Sequence, residues 1–210
     1  EVASDLAPEE EELAWMSQIG RETGRPVTFA CLQNNEDPQQ WQRLLTAVDK
    51  DRANGGTLTP QVAQRPAGVL FSLESSGHPF ILHEAYQPLA ALPLAERVAA
   101  LSEPGMRRSI LDNPPDLSGL PEVFTKSLTA WDNMIPLGDP IDYEPARDQS
   151  VLHQAERKGC SPAELAYDTM LERNGKGIIY MPLLGYSNGN FEALREMMQH
   201  PHAVFGLSDG

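Results

Sequence analysis

Leu13, Met16 and Ile19/Gly20 recur at helical spacing, and the pattern predicts a helix from Pro8 to Glu22. Pro8 suits its first turn, Asp5 is placed to cap it, and Glu9 to Glu12 complement the positive end of the helix dipole. Thr23-Gly24-Arg25-Pro26 breaks the pattern. Val27 to Leu32 is then a nearly continuous apolar run, as in a strand buried on both faces, and it ends in polar Gln33-Asn34-Asn35. Trp41, Leu44, Leu45 and Val48 share one face of a second predicted helix, Pro38 to Ala53, which Asn54-Gly55-Gly56 stops. Thr57 to Val62 is a second predicted strand. Pro60 has no N–H to give to a ladder, so this strand is expected to be short or interrupted at its carboxyl end. Helix and strand alternating with short connections is the pattern of a parallel sheet with right-handed crossovers.

From Arg65 to about Gln149 the pattern changes. Prolines from Pro66 to Pro145 cut the chain into short pieces. Leu94–Leu101 and Gly105–Leu111 read as short helices, and Val123–Trp131 fits either a strand or a short helix. A long excursion of this kind serves as a lid, a binding element or a subunit contact. A homo-oligomer is a further expectation for the protein. Regular periodicity returns at Ser150. A helix is predicted for Ser150–Lys158. Ser161-Pro162-Ala163-Glu164 then opens a helix running to about Arg173, with Ser at the cap, Pro first and Glu third. Gly177–Leu183 is an apolar strand, Asn190–His200 a helix, and Ala203–Leu207 a final buried strand. Three segments follow: β/α units over 1–65, a Pro-rich helical or irregular insertion over 66–149, and β/α units over 150–210.

The charge balance narrows the function. Lys and Arg total 16 against 30 Asp and Glu, a net charge of −14, which excludes a phosphate-backbone reader needing a basic face. A hydrophobic content of 40% with 22% charged residues fits a folded globular chain. No apolar run approaches the ~18–20 residues of a membrane span. Cys31 and Cys160 lack CxxC spacing, so neither a zinc ribbon nor a redox pair is indicated. Idle thiols fit a reducing compartment, and the expected location is the cytoplasm. Glu1 to Asp5 reads as a loop entered mid-protein rather than a signal peptide, and the abrupt end at Ser208-Asp209-Gly210 suggests a piece of a larger enzyme.

Candidate chemistry gathers at predicted strand ends. Asp209, just after the last apolar run, is positioned as a strand-mouth carboxylate able to ligate a metal and act as general base; the same Ser-Asp-Gly is also an ordinary turn. Gln33 and Asn34 end the first strand, Gln61 lies in or just after the second, and Arg65 follows closely. In a barrel they would share that face and bind a carbonyl or carboxylate of a small-molecule substrate; loop polarity and capping are the alternative. His200-Pro201-His202 has HxH spacing but falls at the helix–strand turn on the amino side of the last strand, the wrong face for catalysis; His78, His83 and His153 add no HExxH motif, and no GxGxxG or P-loop is present.

Several stretches together resemble amidohydrolase family 3, the D-aminoacylase (N-acyl-D-amino-acid deacylase) group. They are Gly24-Arg25-Pro26-Val27-Thr28-Phe29 with Leu32-Gln33, Gln61 to Gly68, His78-Pro79-Phe80, Leu92 to Arg97, and His200-Pro201 running into Gly206 to Gly210. The resemblance implies a fold: part of a (β/α)8 TIM barrel, with this chain supplying about strands five to eight. It also implies a metal-dependent hydrolase of amide C–N bonds, with a divalent metal, zinc, as cofactor. Asp209 would be the strand-eight metal ligand and general base. A histidine metal motif would lie upstream. The chain departs from the family where Gln33-Asn34 and Gln61 stand near positions that carry histidine ligands, and an amide replaces imidazole poorly on zinc. A barrel kept for binding or assembly is therefore the alternative. A sugar-active barrel finds no second strand-end carboxylate.

Overall fold

The computed structural model describes Val2, Leu6 and residues 8–206. In chain order its elements are α1 (Glu9–Thr23), β1 (Val27–Ala30), α2 (Gln40–Ala53), β2 (Leu58–Val62), β3 (Ala67–Phe71), α3 (Leu94–Ser102), α4 (Pro104–Leu111), α5 (Glu122–Thr129), β4 (Ile135–Pro136), α6 (Val151–Lys158), α7 (Pro162–Gly175), β5 (Ile179–Leu184), α8 (Glu192–Gln199) and β6 (Val204–Phe205). They divide into two compact units, one formed by 1–67 and 182–210, the other by 68–181. The chain is mixed α/β with two three-stranded sheets, and neither closes as a barrel among the described residues. Among these residues no helix is long and apolar enough to cross a membrane.

In the first unit β1, β2 and β6 form a parallel sheet in that order. Val2 adds a parallel bridge to Phe29 on the outer edge of β1. Val27, Phe29 and Cys31 from β1 and its end, with Leu58 and Val62 from β2, pack in one core with Leu13 and Met16 of α1, Trp41, Leu44 and Val48 of α2, and Leu194 and Met197 of α8. All three helices thus cover one face. The predicted cap Asp5 lies outside the described residues. At the other end of α1, Gly24 adopts a left-handed φ of 65° and its N–H bonds the Gly20 carbonyl.

Two expectations change here. Pro60 does not interrupt β2, which runs through it as the central strand. The Cys31 N–H bonds the Gln61 carbonyl, so Gln61 turns its backbone groups to β1 and Pro60 turns its own to the β6 side. β6 starts pairing only at Gln61↔Val204, beyond Pro60, so the missing N–H costs no ladder bond. The last strand is also not buried: Val204 and Phe205 are 41% and 61% exposed. It is two residues long, and its only strand neighbour among the described residues is β2.

The second unit is organised differently. Its sheet has the order β3-β5-β4, with β4 and β5 antiparallel through Ile135↔Tyr180 and Pro136↔Ile179. The resemblance makes Gly177–Leu183 a barrel strand between β2 and the last strand. The structure corrects this: β6 lies directly beside β2, and β5 belongs to the other sheet. Residues 150–181 cluster with 68–149, because α6 packs on α7 and α7 on α3. The Ser161 capping box forms as read: its hydroxyl accepts from the Glu164 N–H (3.2 Å) and the Glu164 carboxylate accepts from the Ser161 N–H (2.8 Å).

Arg97 of α3 ties down the coil before it. Its guanidinium donates to the carbonyls of Leu89 (3.2 Å), Ala90 (2.7 Å), Leu92 (2.9 Å) and Leu73. Substituting Arg97 by Ala strands these acceptors, and a loss of about 2–4 kcal/mol in unit stability is expected in urea unfolding. Arg97→Lys should recover little of it, because one ammonium cannot span the fork. A loss below about 0.5 kcal/mol would mean that water satisfies these carbonyls equally well.

Candidate functional site

Gln33, Asn34, Gln61 and Arg65 lie at or just beyond the carboxyl ends of β1 and β2 in the first unit. Gln33, three residues past β1, is fully buried. Its carbonyl accepts from the Gly185 N–H (2.7 Å) and its side-chain Oε1 from the Ser187 N–H (3.1 Å). A backbone N–H only donates, so this contact fixes which way the amide faces. Gln33 Nε2 is then left as a buried donor with no partner among the described residues. Ser187 in turn offers its hydroxyl to the Asn34 carbonyl (2.9 Å) and to Asn35 Oδ1 (2.8 Å), while Asn35 Nδ2 donates to the Pro182 carbonyl (3.1 Å). The loop after β1 and the glycine-rich loop before α8 are one hydrogen-bonded body. Gly185 is required in it: its φ is +80°, and a Cβ would come within 3.2 Å of the Pro66 Cα.

Asn34 is brought to this place but is already occupied. Its Oδ1 accepts from the Asp37 N–H three residues on (2.5 Å) and its Nδ2 donates to Gln40 Oε1 (2.7 Å), which fixes the turn that leads into α2. The Arg43 guanidinium beside Asp37 holds that carboxyl below its ordinary range. Gln61 lies at the end of β2, half-buried, on the face away from the helices. Its Oε1 has no partner among the described residues, and its side chain lies against Gly206, where a Cβ would overlap it at 2.4 Å. Arg65 is exposed. Asp209 lies outside the described residues, so its position relative to Gln33 and Gln61 is not on view.

The donor set at the described strand ends does not fit a metal ion. Gln33 presents an N–H, not a lone pair, and Gln61 offers a single amide oxygen. Among the described residues no group of three or more His, Cys, Asp or Glu side chains could hold a cation. Cys31 is buried beside Met197 (3.9 Å), and burial pushes its thiol up to about 12, so it is inert packing. His200 and His202 sit at the opposite end of β6; His200 Nε2 lies 3.2 Å from Asp49 of α2, and both rings are half-buried. Ser150 and His153 are hydrogen-bonded (2.8 Å), but Ser150 is fully buried as the cap of α6.

The sequence reading passed over Ser187 and Asn35. The signal for Ser187 was Gly185-Tyr186-Ser187-Asn188-Gly189, a run of GxSxG spacing that follows β5 and precedes α8. No family model matches the chain, and neither a curated protein nor a solved structure matches it.

Proposed function

We propose that this chain forms part of a barrel-type amidohydrolase that cleaves the amide C–N bond of an N-acyl amino acid or a related small molecule. The observation that supports this reading is the parallel order β1-β2-β6. A helix precedes each strand on the same face, and polar residues follow at the carboxyl ends, which is where α/β barrels carry their chemistry. The partial (β/α)8 barrel is the finer form of this reading. The family resemblance supplies the reaction, and with it the role of Asp209 as general base that takes the proton of the attacking water. On this reading Gln61 and Arg65 receive the substrate's carbonyl or carboxylate, while Gln33 holds the site's two loops together. No step is assigned to a metal, because the described donors do not fit one.

A second reading has its own observation. The buried Gln33 donor stands near where the family places a histidine ligand, and it favours a barrel kept for binding or assembly. One experiment separates the two, done on the whole protein that contains this chain. Hydrolysis of N-acyl amino acids is followed alongside bound metal by elemental analysis. The hydrolase reading expects turnover in the native protein and its loss, on the order of 100-fold or more, in Asp209→Asn. Full turnover in that variant removes the general-base role. A native protein with neither turnover nor stoichiometric metal supports the binding reading.

A further inference from the structure

Between β3 and α3 the chain runs from Ser72 to Pro93 with one short 3-10 turn, Gln87–Leu89. This strap still carries core residues: Leu73, Phe80, Tyr86 and Leu89 are buried in one cluster with Leu101, Tyr167 and Met170. With so little regular structure, it is held by side chains. Arg97 is one clasp. The other is a pair of imidazoles.

His78 is fully buried. Its Nδ1 accepts from the Phe80 N–H (3.2 Å), its ring meets Tyr86 edge-on at 4.7 Å, and its Nε2 has no partner among the described residues. His83 is 8% exposed, packs on Phe80 at 5.7 Å, and its Nδ1 has no partner among the described residues. The groups around them are Arg97 from α3, Tyr86 from the strap, Tyr167 from α7 across Phe80 (5.3 Å), and the Ile110 and Asn113 carbonyls at and just after the end of α4. Among the described residues no carboxylate contributes to the shift of either ring.

We propose that His78 and His83 form an acid-sensitive latch: protonating either imidazole releases the strap from α3 and α7 and bares the aromatic floor beneath it. Burial first, then the Arg97 charge and the neighbouring His83, bring His78 down from 6.5 to about 3. Burial also lowers His83, although the two carbonyls favour its charged form. In the released strap each ring regains its ordinary value. Release is therefore proton-linked: the closed strap is fully favoured above about pH 7, loses its advantage as pH falls below 6.5, and the loss levels off near 3. For His78 alone, the opening equilibrium rises about tenfold at pH 5.5 and about thirtyfold at pH 5.

Hydrogen exchange on the intact protein tests this, with amide rates corrected for their intrinsic pH dependence. Strap amides should open about tenfold more at pH 5.5 than at pH 7.5, while those of α2 change little. His78→Asn keeps an acceptor for the Phe80 N–H but cannot titrate, and should flatten the response. If that variant does not fold, the native imidazole resonances decide: His78 should titrate below pH 5. Strap opening equal at the two pH values, or a native His78 titrating near 6.5, overturns the latch.

Discussion

Gly177→Ala is expected to destabilise the second unit by on the order of 3–5 kcal/mol, among the largest losses a single methyl could cause in this chain. A Cβ at Gly177 would lie 1.7 Å from the Thr169 carbonyl oxygen and 3.1 Å from the Met170 Cα. These are backbone atoms of α7 and have no rotamer to retreat into. Met170 itself is fully buried among Leu73, Phe80 and Tyr167. Relief therefore means lifting the start of β5 away from α7, which opens the core between them. Hydrogen exchange resolved by peptide is the suitable readout, because it separates the two units. Protection should collapse in α7 and β5 while α1 and α2 change less. Gly105→Ala in α4 is the control: nothing lies within 4 Å of its added Cβ, and a gain of about 0.5–1 kcal/mol is expected. If both variants behave alike, the clash has been relieved by a backbone shift at little cost.

The second large effect is expected in the first unit, at Asp51. Its carboxylate is buried at the end of α2 and accepts from the Ser17 hydroxyl of α1 and from the Leu58 N–H of β2 (3.0 Å). Gly56 passes so close that a Cβ there would stand 2.1 Å from the carboxylate. One side chain thus joins α1, α2 and β2. Asp51→Ala leaves two buried donors without an acceptor, and a loss of about 3–4 kcal/mol should appear in equilibrium urea unfolding. Asp51→Asn keeps one acceptor oxygen for the Leu58 N–H and should lose about half as much. Arg21 stands 3.7 Å from the same carboxylate, but its side chain is 49% exposed, so Arg21→Ala should change stability by no more than about 0.5 kcal/mol. A large Arg21 effect with a small Asp51 effect would reverse this assignment.

Local signals along the chain translated well. The apolar stripes of α1 and α2 and the Ser161 box depend on neighbours three or four residues away, and they lie where periodicity puts them. Val123–Trp131, open between strand and helix on sequence, overlaps α5, which starts one residue earlier at Glu122. What local pattern could not carry was partnership across long separations. The apolar run at Gly177–Leu183 looks the same whether its neighbour is a barrel strand or Ile135. The run beginning at Ala203 looks buried until its one-sided pairing with β2 exposes Val204 and Phe205. At the candidate site, Gln33 was legible as a polar residue ending a strand. Its burial, and the capture of its oxygen by Ser187 more than 150 residues away, were not. Asp51 was hidden for the same reason: its partners Ser17 and Leu58 belong to two other elements.

β3 and β5, which begin and end near the borders of the inserted unit, are neighbours in one sheet. This bears on the order in which the chain assembles. The inserted unit is continuous in sequence and needs nothing downstream to form, whereas β2 must wait for β6. Unfolded, the loop between those two strands is roughly 140 residues long; once β3 and β5 have paired, its effective length is roughly 30, which lowers the closure entropy by about 1.4 kcal/mol. The insertion acts as an internal tether that brings the two halves of the parallel sheet within reach, so substitutions that slow its folding should delay the pairing of β2 with β6 even though they lie in the other unit.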